Sequence, residues 1–215
     1  INSWPIADEV FTHFPFLHGI DAPMYYVALM TFVLIFSSVT MVLAVDAGHH
    51  MQKAKVTFYM LLTVIGGAIF VGSQAWEWKN FIKGEYGALE TKGGQILQFV
   101  NADTGKRAAI QEFAQGIDSP RTTHQLSNGI WYKSETSLPT VSLAEVNKGF
   151  TASSNLVIRT EQLDEKGRKV VLSRAESLLK IQDATIVVEG ANLIRNEYGN
   201  RLFADFFFFI TGFHG

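Results

Sequence analysis

Cysteine is absent from the 215 residues. That absence excludes structural disulfides, Cys-ligated zinc, iron–sulfur clusters, a thiolate-bridged copper centre and a CxxCH haem attachment. An excess of one charge is lacking too, with 18 Lys/Arg against 20 Asp/Glu. Nucleic-acid binding draws on a basic patch, so no nucleic-acid partner is expected. There is no GxGxxG, Walker-type loop or HExxH, which leaves nucleotide and zinc-protease chemistry without a motif. Internal repeats and low-complexity runs are missing as well.

Charge is missing most tellingly from two long stretches. Ala22 to Val45 carries none, and between Lys55 and Glu77 a further 21 residues carry none. A helix rising ~1.5 Å per residue needs ~20 apolar residues to cross a bilayer's hydrocarbon. Two membrane spans are therefore expected, Pro23 to Val45 and Val56 to Trp78. The second is not uniformly apolar: Tyr59, Thr63, Gly66, Phe70, Ser73 and Glu77 recur at helical spacing and share one face. Small and polar residues in such a stripe let a neighbouring helix approach and hydrogen-bond. Trp76 and Trp78 flank Glu77, as interfacial indoles do. The first span carries Thr31, Ser37, Ser38 and Thr40, hydroxyls able to bond backbone or a neighbouring helix.

The remaining segments follow from this frame. Residues 1–22 hold acids, aromatics and Pro5 and Pro15, and read as an interfacial segment. The loop 46–55 has Lys53 and Lys55, so the positive-inside rule places it in the cytoplasm and both flanks outside. Residues 83–201 hold most of the charge, the composition of a water-exposed domain. Within them ILQFV (96–100), GIWYK (129–133), LVIRT (156–160) and KVVLS (169–173) read as strands, the last two flanking a DEKG turn. Ser142 with Glu145 and Ser173 with Glu176 are capping-box candidates, and AAIQEFA (108–114) is a third helical candidate. Residues 202–215 begin a third span. The uncharged run after Asp205 is too short to cross, and with no initiator Met the expectation is a chain that continues at both ends.

Few residues invite chemistry. His214 is the one histidine inside an expected span; a metal or haem ligand, a proton relay and a structural hydrogen bond are the readings, and the structural one is favoured. Glu77 is weighed in the same way, between proton transfer and an interfacial position. A buried Glu77–His214 pair would lower the cost of both. His49 and His50 point to different sides of a helix and read as a solvated loop, and His124 stands alone.

Several segments together resemble one family. QAWEW (74–78) is similar to the Gln-Ala-x-Glu-aromatic motif ending a transmembrane helix in subunit III of haem–copper cytochrome c oxidases. TGFHG (211–215) resembles that subunit's Thr-Gly-Phe-His-Gly motif, and SSVT (37–40), preceded by Thr31 and Pro23, resembles the helix before it. The likeness covers about residues 14–82 and 202–215. It departs from the family in the place of the histidine pair, in Ala204 where Gly is common, and in more than a hundred residues between helices that relatives join by a short loop.

The expected fold class is accordingly an all-α transmembrane helix bundle, subunit III-like, with an inserted small α+β extramembrane domain. The resemblance implies a non-catalytic subunit of a respiratory oxidase in the bacterial inner membrane. It would hold no haem or copper itself, those lying in subunits I and II as partners, and would bind phospholipid. Thr31, Ser37, Ser38, Gln74, Glu77, Trp78, Thr211 and His214 would set helix packing and lipid contacts. The periplasmic insert, residues 83–201, is expected to dock a neighbouring subunit or an electron-donor complex. The alternatives are a secondary transporter or proton channel using Glu77 and His214, and a membrane anchor for a periplasmic binding domain.

Overall fold

Two long helices precede the first strand, and apolar side chains cover them on every side. The computed structural model describes Trp4, Pro5, Val10, Phe14 and residues 24–116 and 140–214. Helix α1 runs Tyr25–His49 and α2 runs Lys53–Lys83. At ~1.5 Å per residue both exceed the ~30 Å of a bilayer's hydrocarbon. Among the described residues these are the two helices long and apolar enough to cross a membrane. Phe32, Val42, Phe58 and Val64 stand mostly exposed on them, an arrangement that suits lipid and not water. The helices outlast the uncharged runs, because nothing in Asp46–His49 or Lys53–Lys55 breaks a helix. Only His50–Gln52 turns the chain, with Met51 at φ 56° and Gln52 N–H donating to the Ala47 carbonyl at 2.9 Å.

The chain divides into two compact units, one built on Ile82–Phe207, the other on the described residues of Ile6–Phe81 with Phe208–Gly215. The first contains β1 (Ala88–Thr91), β2 (Ile96–Asn101), the short α3 (Ile110–Phe113), α4 (Leu143–Ala152), β3 (Leu156–Leu163), β4 (Lys169–Val171), α5 (Arg174–Lys180) and β5 (Ala184–Val188). The strands form one antiparallel sheet in the order β4-β3-β2-β1-β5. In β2, Leu97 and Phe99 join Ile110, Val146, Phe150 and Ile158 in the core. Gln98 points to the other face, yet it is buried too. With both faces covered, β2 reads as a continuous buried run in place of an alternating one.

Local chemistry punctuates this unit where the sequence suggested. Ser142 and Glu145 form a reciprocal capping box at the start of α4, and Ser173 and Glu176 do so at α5. In the β3–β4 hairpin the Asp164 carboxylate accepts the N–H groups of Lys166 and Arg168, and these bonds hold its pKa below the ordinary value. Arg174 lies over the Phe150 ring at 4.3 Å and donates to the Phe150 carbonyl at 2.8 Å. A cation thereby closes the last turn of α4. Helix AAIQEFA shrinks to the single turn α3, and the expected strand 129–133 lies outside the described residues, as does His124.

The expected all-α bundle is overturned. A five-stranded antiparallel sheet organises the unit on Ile82–Phe207, and among the described residues two helices are long and apolar enough to span a membrane. The last helix, α6 (Arg201–His214), has 14 residues, about 21 Å of rise. The long uncharged runs dominate the composition, whereas the sheet gathers short strands scattered from residue 88 to residue 188, each weak alone.

Glu161, on β3, has its pKa raised chiefly by burial, with the Ile96 N–H and Lys169 pulling the other way. A carboxyl that binds its proton more tightly folded than unfolded makes the folded state the better proton binder. Stability is then full below the ordinary glutamate value and declines as pH rises through that value to the raised one. Amide-exchange protection of β3, followed across mildly acidic to neutral pH, is expected to fall in that window, and Glu161→Gln is expected to flatten the profile.

Candidate functional site

The small and hydroxyl residues of the two long helices meet. Thr40 and Thr63 bring their hydroxyl oxygens to 2.8 Å. Ser37 Oγ donates to the Thr63 carbonyl at 3.3 Å; Thr40 Oγ1 also lies 2.8 Å from the Ser37 carbonyl and Thr63 Oγ1 3.0 Å from the Tyr59 carbonyl, so one threonine donates its single proton within its own helix and the other donates across the pair. Beside them a Cβ on Gly66 would lie 3.0 Å from the Ser37 Cβ, so glycine sets how closely α1 and α2 approach. One turn further along, Tyr26, Met30 and Phe70 form a buried apolar cluster with Phe14, Leu34 and Trp76 against it. The stripe of Tyr59, Thr63, Gly66, Phe70, Ser73 and Glu77 is the less exposed face of α2 throughout.

The two sequence motifs also touch. Trp78 Nε1 donates to Thr211 Oγ1 at 2.9 Å across 133 positions of sequence. The indole stands perpendicular to the Phe208 ring at 5.6 Å and packs beside Gly212, where a Cβ would make ordinary contact with it. No family model, curated protein or solved structure matches this chain. The site is thus defined by its own geometry.

The other candidate residues separate. Thr31 is exposed and donates to the Val27 carbonyl at 3.1 Å, and Ser38 is likewise exposed, so both lie away from the Ser37–Thr40 seam. Gln74 Nε2, with Trp76 Nε1 and Asn80 Nδ2, is shielded from solvent and has no acceptor among the described residues. Glu77 is half-buried. His214 is exposed with its ring 6.2 Å from that of Phe70. Among the described residues no hydrogen bond or ion pair joins Glu77 to His214, because the register that seats Thr211 on Trp78 carries His214 on toward Phe70. Among the described residues no three His, Asp or Glu side chains cluster so as to hold a metal ion.

Sequence reasoning missed the polar heart of the sheet unit. The buried Glu197 carboxylate accepts the backbone N–H groups of Glu85 (3.0 Å), Tyr86 (3.2 Å), Gly87 (3.2 Å) and Gly190. Gln98 Nε2 donates to the Glu197 carbonyl, while Gln98 Oε1 accepts from Arg159 and from the buried Lys169. Lys169 also donates to the Tyr198 carbonyl. Burial, then the Glu197 charge, pushes the Tyr198 hydroxyl well up in pKa. The Arg107 guanidinium stacks on the Tyr86 ring at 4.2 Å. Glu197, Gln98, Arg159 and Lys169 hold one another, and a network of this kind fixes register; the Arg107 guanidinium nitrogens are buried without a hydrogen-bond partner among the described residues. A polar residue inside an apolar strand, Gln98 in ILQFV, was the one available hint.

A double-mutant cycle on Thr40→Val and Thr63→Val is expected to give a coupling of about 0.5–1.5 kcal/mol, read by steric trapping in bicelles. Gly66→Leu, which drives a side chain into Ser37, is expected to cost more than either.

Proposed function

We propose that this chain is a non-catalytic integral-membrane subunit of a respiratory haem–copper oxidase, akin to subunit III of cytochrome c oxidases. One observation carries the reading: the Trp78–Thr211 bond joins the two segments that resemble that subunit's motifs. The Ser37–Thr40–Thr63–Gly66 seam lends support, since it is built for helix packing and not for transport or bond-making. In this reading the chain lies in a bacterial inner membrane, with the 46–55 loop cytoplasmic and the sheet unit periplasmic. Haem and copper belong to partner subunits I and II, and phospholipid fills the outward apolar faces of α1 and α2. The sheet unit docks a neighbouring subunit or an electron-donor complex. A transporter or channel would use Glu77 and His214 together, and among the described residues no hydrogen bond or ion pair joins them.

Glu77→Gln is expected to lower retention of the chain in the purified oxidase while leaving turnover per intact complex within about twofold. Full subunit content with abolished electron transfer would overturn the proposal. Replacing residues 86–198 by a short linker is expected to leave oxidase assembly intact and to weaken association with a neighbour or donor complex, measured by co-purification in mild detergent. Unchanged recovery of every partner would refute the docking role.

A further inference from the structure

Turns in water-exposed domains are normally tipped with Gly, Asn, Asp or Ser. The turn between β5 and α6 instead presents Leu193 and Ile194, 68% and 56% exposed. It is tightly built. Asn192 N–H donates to the Arg195 carbonyl at 2.8 Å, and the Asn192 side-chain oxygen accepts from both Ile194 N–H (2.7 Å) and Arg195 N–H (2.8 Å). Below the tip Ala191 pairs with Asn196, and Glu197 N–H closes on the Gly190 carbonyl at 2.9 Å. The two aliphatic side chains are therefore held outward by design of the backbone, not by want of a core to enter.

The base of this turn rests on the end of α2. Gly190, at φ +70°, lies so close to the backbone of Ile82 and Lys83 that any side chain there would strike the Ile82 carbonyl. Three extended residues reach at most ~10 Å, so Leu193 stays within about that distance of Gly190. The headgroup layer on each side of a bilayer is ~5–8 Å deep. Arg195 follows the tip directly. Arg201, where the chain enters α6, brings a second guanidinium, and both suit lipid phosphates.

We infer that the Asn192–Arg195 turn is a lipid-seating tip: Leu193 and Ile194 dip into the bilayer interface beside the end of α2, and Arg195 and Arg201 meet headgroup phosphates. The inference rests on the reading of α2 as a membrane helix. It goes beyond that reading by giving the sheet unit its own hold on the bilayer surface, in the manner of an interfacial anchor.

The chain lacks cysteine, so single-cysteine fluorophore labels need no background removal. Labels at Leu193→Cys and Ile194→Cys go on exposed positions of the full chain. Glu165→Cys, in the β3–β4 turn, reports water, and Ile65→Cys, mid-α2, reports membrane. The chain is reconstituted in vesicles of equal parts phosphatidylcholine and phosphatidylglycerol. Labels at 193 and 194 are expected to be quenched by brominated acyl chains and to show roughly fivefold weaker iodide quenching than the label at 165. Iodide quenching at 193 and 194 equal to that at 165, with 65 still quenched by lipid, overturns the tip and leaves the membrane reading standing. Shielding from both quenchers means that protein covers the turn, and also overturns it. A water-exposed label at 65 defeats the membrane reading and the inference together.

Discussion

A single buried carboxylate holds the sheet unit closed. Glu197 gathers backbone N–H groups from Glu85, Tyr86 and Gly87, just after α2 ends, and from Gly190, shortly before α6 begins. Such a group is costly to bury alone, but four donors satisfy its charge. It ties the point where the chain leaves one helix to the point where it returns for the next. A unit that the chain enters from α2 and leaves into α6 is closed when its two ends lie close together, and this carboxylate supplies that closure.

The rest of the unit depends on the closure in turn. With residues 84–87 and 190–197 pinned, β1 lies between β2 and β5, and the segment carrying Asn196 to Tyr198 covers the sheet face opposite α4. Gln98 then finds the Glu197 carbonyl, and Lys169 and Arg159 find Gln98. Because that face is polar and satisfied while the other is apolar, a one-residue slip of β2 would bury Gln98 among Phe99's neighbours. Register is thereby strongly specified. Asn200 completes the exit by accepting the Leu202 N–H at the first turn of α6.

The helical unit solves a different problem with different means. In lipid, where the proposed function sets α1 and α2, helices gain nothing from excluding water, so close approach and interhelical hydrogen bonds decide association. Gly66 supplies the approach, and Ser37, Thr40 and Thr63 supply the bonds. Trp78 adds a third contact, reaching Thr211 and standing edge-on to Phe208. The hydroxyls of Ser37, Thr40 and Thr63 all donate or accept within this helix pair.

Local and periodic features were legible from the residues alone. The two uncharged runs, the stripe on α2, strands 96–100 and 156–160, the DEKG hairpin turn and both capping boxes depend on interactions within about four residues or on helical repeat, and these survive any tertiary setting. What needed the folded chain was every partnership over distance: the sheet as the organiser of a whole unit, the Glu197 closure, the burial of Gln98 and Lys169, and the register that sets Trp78 on Thr211 and leaves Glu77 without His214. Spacing along a chain fixes which side chains share a face. It cannot fix the axial offset between two helices or the order of strands in a sheet, because those are chosen by packing among residues a hundred positions apart.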